Sequence, residues 1–200
     1  MVNFEMVGGR TCLDFANTAS QRRNGPFKER LESYEDLLAW AIAAEQLTEA
    51  EAADLRRLAV ASPAEAEAVL ERGRALREAI YRVFTKRSTG EALPPEDLKL
   101  ISTEYGRAAV NRVLTPSTVG VCSFEWQTHE SLDRPLWPVA VSATNLVASE
   151  DATRVKECAT DNCNWLFLDA SKNRSRRWCE MKECGNRAKA RRQYHKSKTS

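Results

Sequence analysis

Cys158-Ala-Thr-Asp-Asn-Cys163 and, fifteen residues further on, Cys179-Glu-Met-Lys-Glu-Cys184 carry the strongest chemistry in this 200-residue chain. Each pair is spaced C-x4-C. Two short knuckles about 15–20 residues apart let four thiolates converge on one tetrahedral ion without strain, which is the arrangement zinc prefers. The stretch therefore predicts a small metal-nucleated module at the C-terminal end, with Cys158, Cys163, Cys179 and Cys184 as ligands to one zinc ion per chain. Four thiolates leave no open position for water or substrate, so the zinc is expected to be structural, and the module to fold only with it.

Two rival readings of these cysteines fit less well. Disulfides need an oxidising compartment, and Met1-Val-Asn-Phe-Glu has neither the basic start nor the apolar run of a secretory signal. Iron–sulfur clusters favour C-x2-C-x2-C or C-x4-C-x2-C spacings, whereas these pairs are symmetric and well separated. A cytoplasmic protein is the resulting expectation. The longest nearly apolar run, Leu136 to Ser149, has 14 residues and is shorter than the roughly 20 that a membrane helix needs.

Between and after the pairs lie Trp165-Leu-Phe-Leu-Asp169, Arg176-Arg-Trp-Cys179 and Cys184-Gly-Asn-Arg187. With these, the run from Cys158 to Lys196 resembles the CGNR zinc finger family. Near the start, Gly8-Gly-Arg-Thr-Cys-Leu-Asp14-Phe-Ala-Asn17-Thr18 resembles the opening of an ABATE domain, a module implicated in stress sensing. The combination is similar to bacterial transcription regulators, and the resemblance implies binding to double-stranded DNA and a small-molecule effector or a homodimer. A second Cys pair at a helix start, after a strand and a basic loop, also resembles the treble-clef plan.

Charge divides the chain in the same place. Residues 154–200 hold 13 Lys and Arg against 5 Asp and Glu, a balance of +8, while the remaining 153 residues are at −6. A basic tail on an acidic body points to a polyanionic partner for the tail alone. The expected architecture is mainly α: an ABATE-like helical sensor domain over 1–153 with a short β element, then a treble-clef-like zinc finger over 154–200 with a basic C-terminal helix.

Along the body, the two glycines permit a tight turn, and Asp14, Asn17 and Thr18 either satisfy turn and helix-start amides or, with Arg10, border a ligand pocket. Cys12 and Cys122 read as small buried side chains. Residues Gln21 to Glu32 read as a loop. Ser33 precedes a helix, Thr48-Glu-Ala-Glu51 is a capping box opening a second, and Ser62-Pro-Ala-Glu65 repeats the device for the longest. On that helix Val69, Leu76, Ile80, Val83 and Phe84 form the core stripe, with Arg72, Arg74, Arg77 and Glu78 largely off it. Pro94-Pro95 opens a fourth helix toward Val113 that Pro116 stops. Val119 to Trp126 alternates as a strand of unassigned partner, and Asp133-Arg-Pro135 opens a buried fifth helix.

An enzyme lacks support: His129 and His195 are the two histidines, and there is no G-x-S-x-G elbow, P-loop or dinucleotide fingerprint. His129 reads as a satisfied structural residue. After Cys184 a basic helix is expected. At 100° per residue Ala188 and His195 share the inward side of Cys184, while Asn186, Lys189 and Gln193 face away, with chemistry suited to base edges. Arg187 and Arg192 flank them, and Arg174, Arg176 and Arg177 are placed to meet phosphates; Arg191 falls inward without a role. About five phosphate contacts would give a salt slope near −4.5. The competing class is a zinc-dependent adaptor for RNA or protein.

Overall fold

The structure, a computed structural model, describes residues 3–22, 26–127 and 130–198, for which only the backbone is described at Arg192, His195, Lys196 and Ser197. His129, expected to be a satisfied structural residue, lies outside the described residues, as does the inward side chain expected of His195. The chain is 55% helical, with seven helices among the described residues and small sheets. In order these are α1 (Thr11–Ala16), β1 (Ala19–Ser20), β2 (Lys28–Glu29), α2 (Tyr34–Ala43), α3 (Glu49–Ala61), α4 (Pro63–Ser88) and α5 (Pro95–Ala109). A hairpin of β3 (Arg112–Thr118) and β4 (Val121–Trp126) follows, then α6 (Trp137–Val147), β5 (Val155–Glu157), β6 (Leu166–Leu168) and α7 (Asn186–Lys198).

Caps explain where the helices begin. Ser33 and Asp36 form a capping box at α2, and Thr48 with Glu51 forms another at α3, each satisfying amides that the first turn leaves free. The third expected box does not form. Ser62 must close α3 as well as open α4, its ψ is 63° where Ser33 and Thr48 have 165° and 161°, and its hydroxyl accepts no capping bond. Pro63 starts α4 instead, since its fixed φ suits a first helical position and its missing N–H is not needed there.

The 26-residue α4 is the longest helix and the spine of the body, and the expected stripe is buried along it. Arg77, expected off that stripe, is only 2% exposed. A guanidinium is tolerated there because its donors meet carboxylates in fork geometry: Arg77 bonds Glu29 through both terminal nitrogens, one at 2.7 Å, and Glu78 through Nε at 2.8 Å. Phe15 of α1 meets Trp40 of α2 edge-on at 4.7 Å, and α6 is buried over most of its length beside them.

Two further expectations change. The fourth helix ends at Ala109, short of Val113, and Pro116 lies within β3, paired across from Cys122 on an exposed strand where a missing N–H does little harm. The partner of the 119–126 strand is thus β3, joined through Gly120 at φ 76°. Cys122 is exposed on this hairpin, unlike the buried Cys12.

The joint between body and finger sets the site. Asn17, 3% exposed, brackets Leu166 of β6: its Nδ2 donates to the Leu166 carbonyl at 2.9 Å and its Oδ1 accepts the Leu166 amide at 2.8 Å. The Leu168 amide donates to the Gly8 carbonyl at 2.8 Å. Gly8 is required here, because a Cβ would come within 2.8 Å of Leu13 Cβ and 2.9 Å of the Asp14 amide. Strand β6 alternates between two cores, with Leu166 and Leu168 in the body's cluster and Trp165 and Phe167 in a second cluster with the cysteines.

Candidate metal centre and nucleic-acid interface

Strand β6 pairs antiparallel with β5, and the short hairpin ends at the first knuckle, where the Cys158 amide donates to the Trp165 carbonyl at 2.8 Å. Asn164 takes the left-handed conformation that closes this knuckle, at φ 63°, a conformation asparagine tolerates better than most residues. The second knuckle is a π-helical turn, Met181–Gly185, that runs directly into α7. Its wider loop lets Cys179 and Cys184, five positions apart, face one point.

All four cysteines are buried, and their sulfurs lie within 4.8 Å of one another. Cys179 Sγ is 3.6 Å from both Cys163 Sγ and Cys184 Sγ. A disulfide would require about 2.05 Å. Zinc–sulfur bonds of about 2.3 Å set a tetrahedral edge of about 3.8 Å, so the cluster fits one zinc ion. Packed this closely, the thiols shift one another: hydrogen bonds from Cys163, Cys179 and Cys184 hold Cys158 low, while Cys163 and Cys179 are pushed up, first by their bonds to Cys158. With zinc bound, Cys158, Cys163, Cys179 and Cys184 would hold it as thiolates and fix α7 to the hairpin.

A buried carboxylate that the sequence reading passed over shapes the loop between the knuckles. Asp169 accepts from Lys156 Nζ at 2.7 Å, from the amides of Ser171 and Arg176 at 3.0 Å each, and from the Ser171 hydroxyl. Burial alone would push its carboxyl up, but the bonds from Lys156 and Ser171 hold it well below the usual carboxylate range. The signal was present, since Asp169 is the single acid between Cys163 and Cys179. The loop turns sharply at Arg174, with φ 50°, and leaves Arg174 and Arg177 exposed.

Arg176, expected among the phosphate-binding residues, is turned inward. Its guanidinium donates to the carbonyls of Trp178 at 3.0 Å, Leu168 and Val7 at 3.4 Å each, and Cys179, and it lies 4.5 Å above the Phe167 ring. With its donors on backbone carbonyls of both the finger and the body, it is a brace.

Helix α7 stands clear of the body. Among its described side chains every one but Ala188 is exposed, including Asn186, Arg187, Lys189 and Gln193. Asn186 Nδ2 donates to the Lys182 carbonyl at 2.8 Å. Arg187 lies 3.7 Å from Glu183. Only the backbone of Arg192 is described. Arg191 now has a place: it pairs with Asp161 of the first knuckle and ties α7 across it.

The four candidates near the N-terminus separate. Arg10 reaches Asp151 at 2.8 Å and lines a depression of about 310 Å³ with Ser142 and Asn145. Thr18 donates to the Phe15 carbonyl at 2.8 Å, and Asn17 holds β6. Asp14 accepts the Gly8 amide at 2.7 Å, and burial pushes its carboxyl up to about 6 despite the Gly8 and Val7 amides.

A helical body with an appended four-cysteine finger defines a zinc-finger protein of the class in which the metal is architectural. Residues 9–150 match the family ABATE, described as "Putative stress-induced transcription regulator", and residues 154–197 match the CGNR zinc finger. The chain belongs to the ABATE family and carries a CGNR zinc finger at its C-terminal end. No curated protein matches the chain. Among the described residues no helix is long and apolar enough to cross a membrane.

Proposed function

We propose that this protein is a zinc-dependent, sequence-reading DNA-binding regulator, with α7 as the element that enters the duplex. One observation carries the reading: α7 has six Lys and Arg and no acid, and its described side chains other than Ala188 face solvent. A 13-residue helix that is polar all round is marginal on its own in water. Rooted in the metal centre and free on its outer surface, it suits a major groove, about 12 Å wide and strongly negative.

In this reading Asn186, Lys189 and Gln193 meet base edges, and Arg174, Arg177, Arg187 and Arg192 meet phosphates. The zinc supplies no chemistry beyond holding the knuckles. Of the N-terminal candidates, Arg10 is the one on an open depression, so an effector site is assigned there and not at Asn17 or Thr18.

Selection of preferred duplexes from a random pool by the zinc-loaded full chain tests this directly. One sequence should be recovered and bound on the order of 10³-fold or more tighter than random DNA. The four phosphate contacts of the finger by themselves contribute a slope of log affinity against log salt near −3.6. Arg177→Gln should reduce that slope by about one on every sequence, while Gln193→Ala should relax preference at particular bases. A protein that prefers unpaired RNA, or binds all duplexes alike, would sink the proposal.

A further inference from the structure

Two neighbouring depressions run along the seam where the body meets the finger. One, of about 540 Å³, lies between Ser88 and Thr89 at the end of α4 and the finger residues Lys156, Arg176 and Arg177. The other, of about 520 Å³, lies between Arg87 and the finger residues Arg154 and Arg174. The two have no lining residue in common, but Arg87 and Arg174 of one are next in sequence to Ser88 and close to Arg176 of the other, so they adjoin along one groove. The first also shares Ala159, Thr160 and Asp161 with the hollow under α7, which places the groove in line with that helix.

Only some of the cations on this line are neutralised. Lys156 is tied to Asp169, and Arg154 to the Asp169 and Ser171 carbonyls and, at 3.8 Å, to the Asp151 carboxylate. Arg87, Arg174 and Arg177, by contrast, have no carboxylate partner among the described residues, and Arg87 Nε is buried without a hydrogen-bond acceptor. Of the four acids lining the two depressions, Asp151 is paired with Arg10 at 2.8 Å, Asp161 with Arg191, and Glu157 accepts from Asn164 Nδ2 at 2.8 Å, leaving Glu150. An unpaired guanidinium on a body whose charge balance is −6 is out of keeping with that body, but it suits a polyanion already held next to it by the finger.

We propose that this groove is a second DNA-backbone site, in which Arg87 of the helical body joins Arg174 and Arg177 of the finger on the phosphates flanking the bases that α7 reads. The inference rests on the DNA-binding reading above and extends the footprint from the finger onto the body. Its geometry also makes body and finger grip one duplex, so that their relative placement matters for affinity.

The test uses the full zinc-loaded chain and the duplex selected from a random pool, with affinity measured across a salt series. The wild type should show a slope near −4.5, five phosphates instead of four, and Arg87→Gln should return it to near −3.6 with unchanged sequence preference, zinc content and melting temperature. Arg87→Lys should keep the slope. Ser88→Glu, which adds a negative charge at the other depression, should weaken binding about tenfold on all sequences. If the wild type binds and Arg87→Gln changes only the melting temperature, Arg87 merely serves the α4 C-terminus and the groove proposal fails alone. If the wild type binds no duplex, the DNA reading and the groove fail together.

Discussion

The body and the finger are stabilised in different ways, and the difference is visible in what each buries. The body has one contiguous cluster that draws large side chains from α1 to α6, including Phe15, Trp40, Phe84 and Trp137. The finger's cluster consists of four cysteines with Trp165 and Phe167, edged by Val7 and Trp178. Fewer than ten side chains cannot offset the conformational entropy of about 45 residues, so the finger depends on its metal. Yet the two regions are not independent, because β6 contributes alternate residues to both clusters and Asn17 of the body holds its backbone.

The sharpest way to break that comparison is to remove the metal. Cys179→Ser leaves three ligands and should abolish the stoichiometric zinc of the purified protein, with loss of α7 helicity, since structural zinc supplies on the order of 10–16 kcal/mol to such modules. Because β6 is shared, a chelator should also lower the melting temperature of the body. A body that melts identically with and without zinc would show that the shared strand transmits nothing.

Cutting the bracket comes next. Asn17→Ala strands the buried amide and carbonyl of Leu166, each costing about 1–3 kcal/mol. Thermal unfolding of this variant should separate into an early finger transition and a later body transition. A single transition at the wild-type temperature would count against the bracket.

A smaller effect should appear as pH dependence. The Asp14 carboxyl is pushed up from 3.8 to about 6, so the folded state holds this proton more tightly than the unfolded chain does. Stability from this group is full below about pH 4 and is lost as pH rises through about 6, a swing of up to about 3 kcal/mol, reduced by partial exposure. Asp14→Asn can still accept the Gly8 amide, and it should be more stable than wild type at pH 7 by about 1–2 kcal/mol while losing the dependence between pH 4 and 6. Asp169, held low, loses its contribution below that window, whereas Glu5, held up, and Glu29 and Glu78, held down, also change within it, so the difference between variant and wild type at pH 4, 5, 6 and 7 isolates Asp14. Equal slopes for wild type and variant would contradict the burial argument.

Arg191→Gln should have the smallest effect. Its ion pair with Asp161 is exposed on both sides, and such pairs contribute about 0.2–1 kcal/mol. The helical circular dichroism of α7 should decrease slightly, with zinc content unchanged. Loss of zinc would mean that the pair supports the metal centre itself.

Sequence alone determined the metal ligands, the mainly helical class, the two true capping boxes, the basic helix after Cys184 and the division of charge. Each depends on spacing or on residues within a few positions of one another, where chain geometry leaves little choice. The short apolar, aromatic run Trp165 to Leu168 fits a strand, but nothing local says that its two faces serve two different cores. Only tertiary structure decided that Arg77 is buried, because Glu29 arrives from a separate strand 48 positions away. Likewise, tertiary structure turned Arg176 inward, gave Arg191 its partner and brought Asn17 to Leu166 across 149 positions. A side chain's charge or amide is fixed by its identity, but whether it faces water, a carboxylate or a backbone carbonyl depends on which distant segment packs against it.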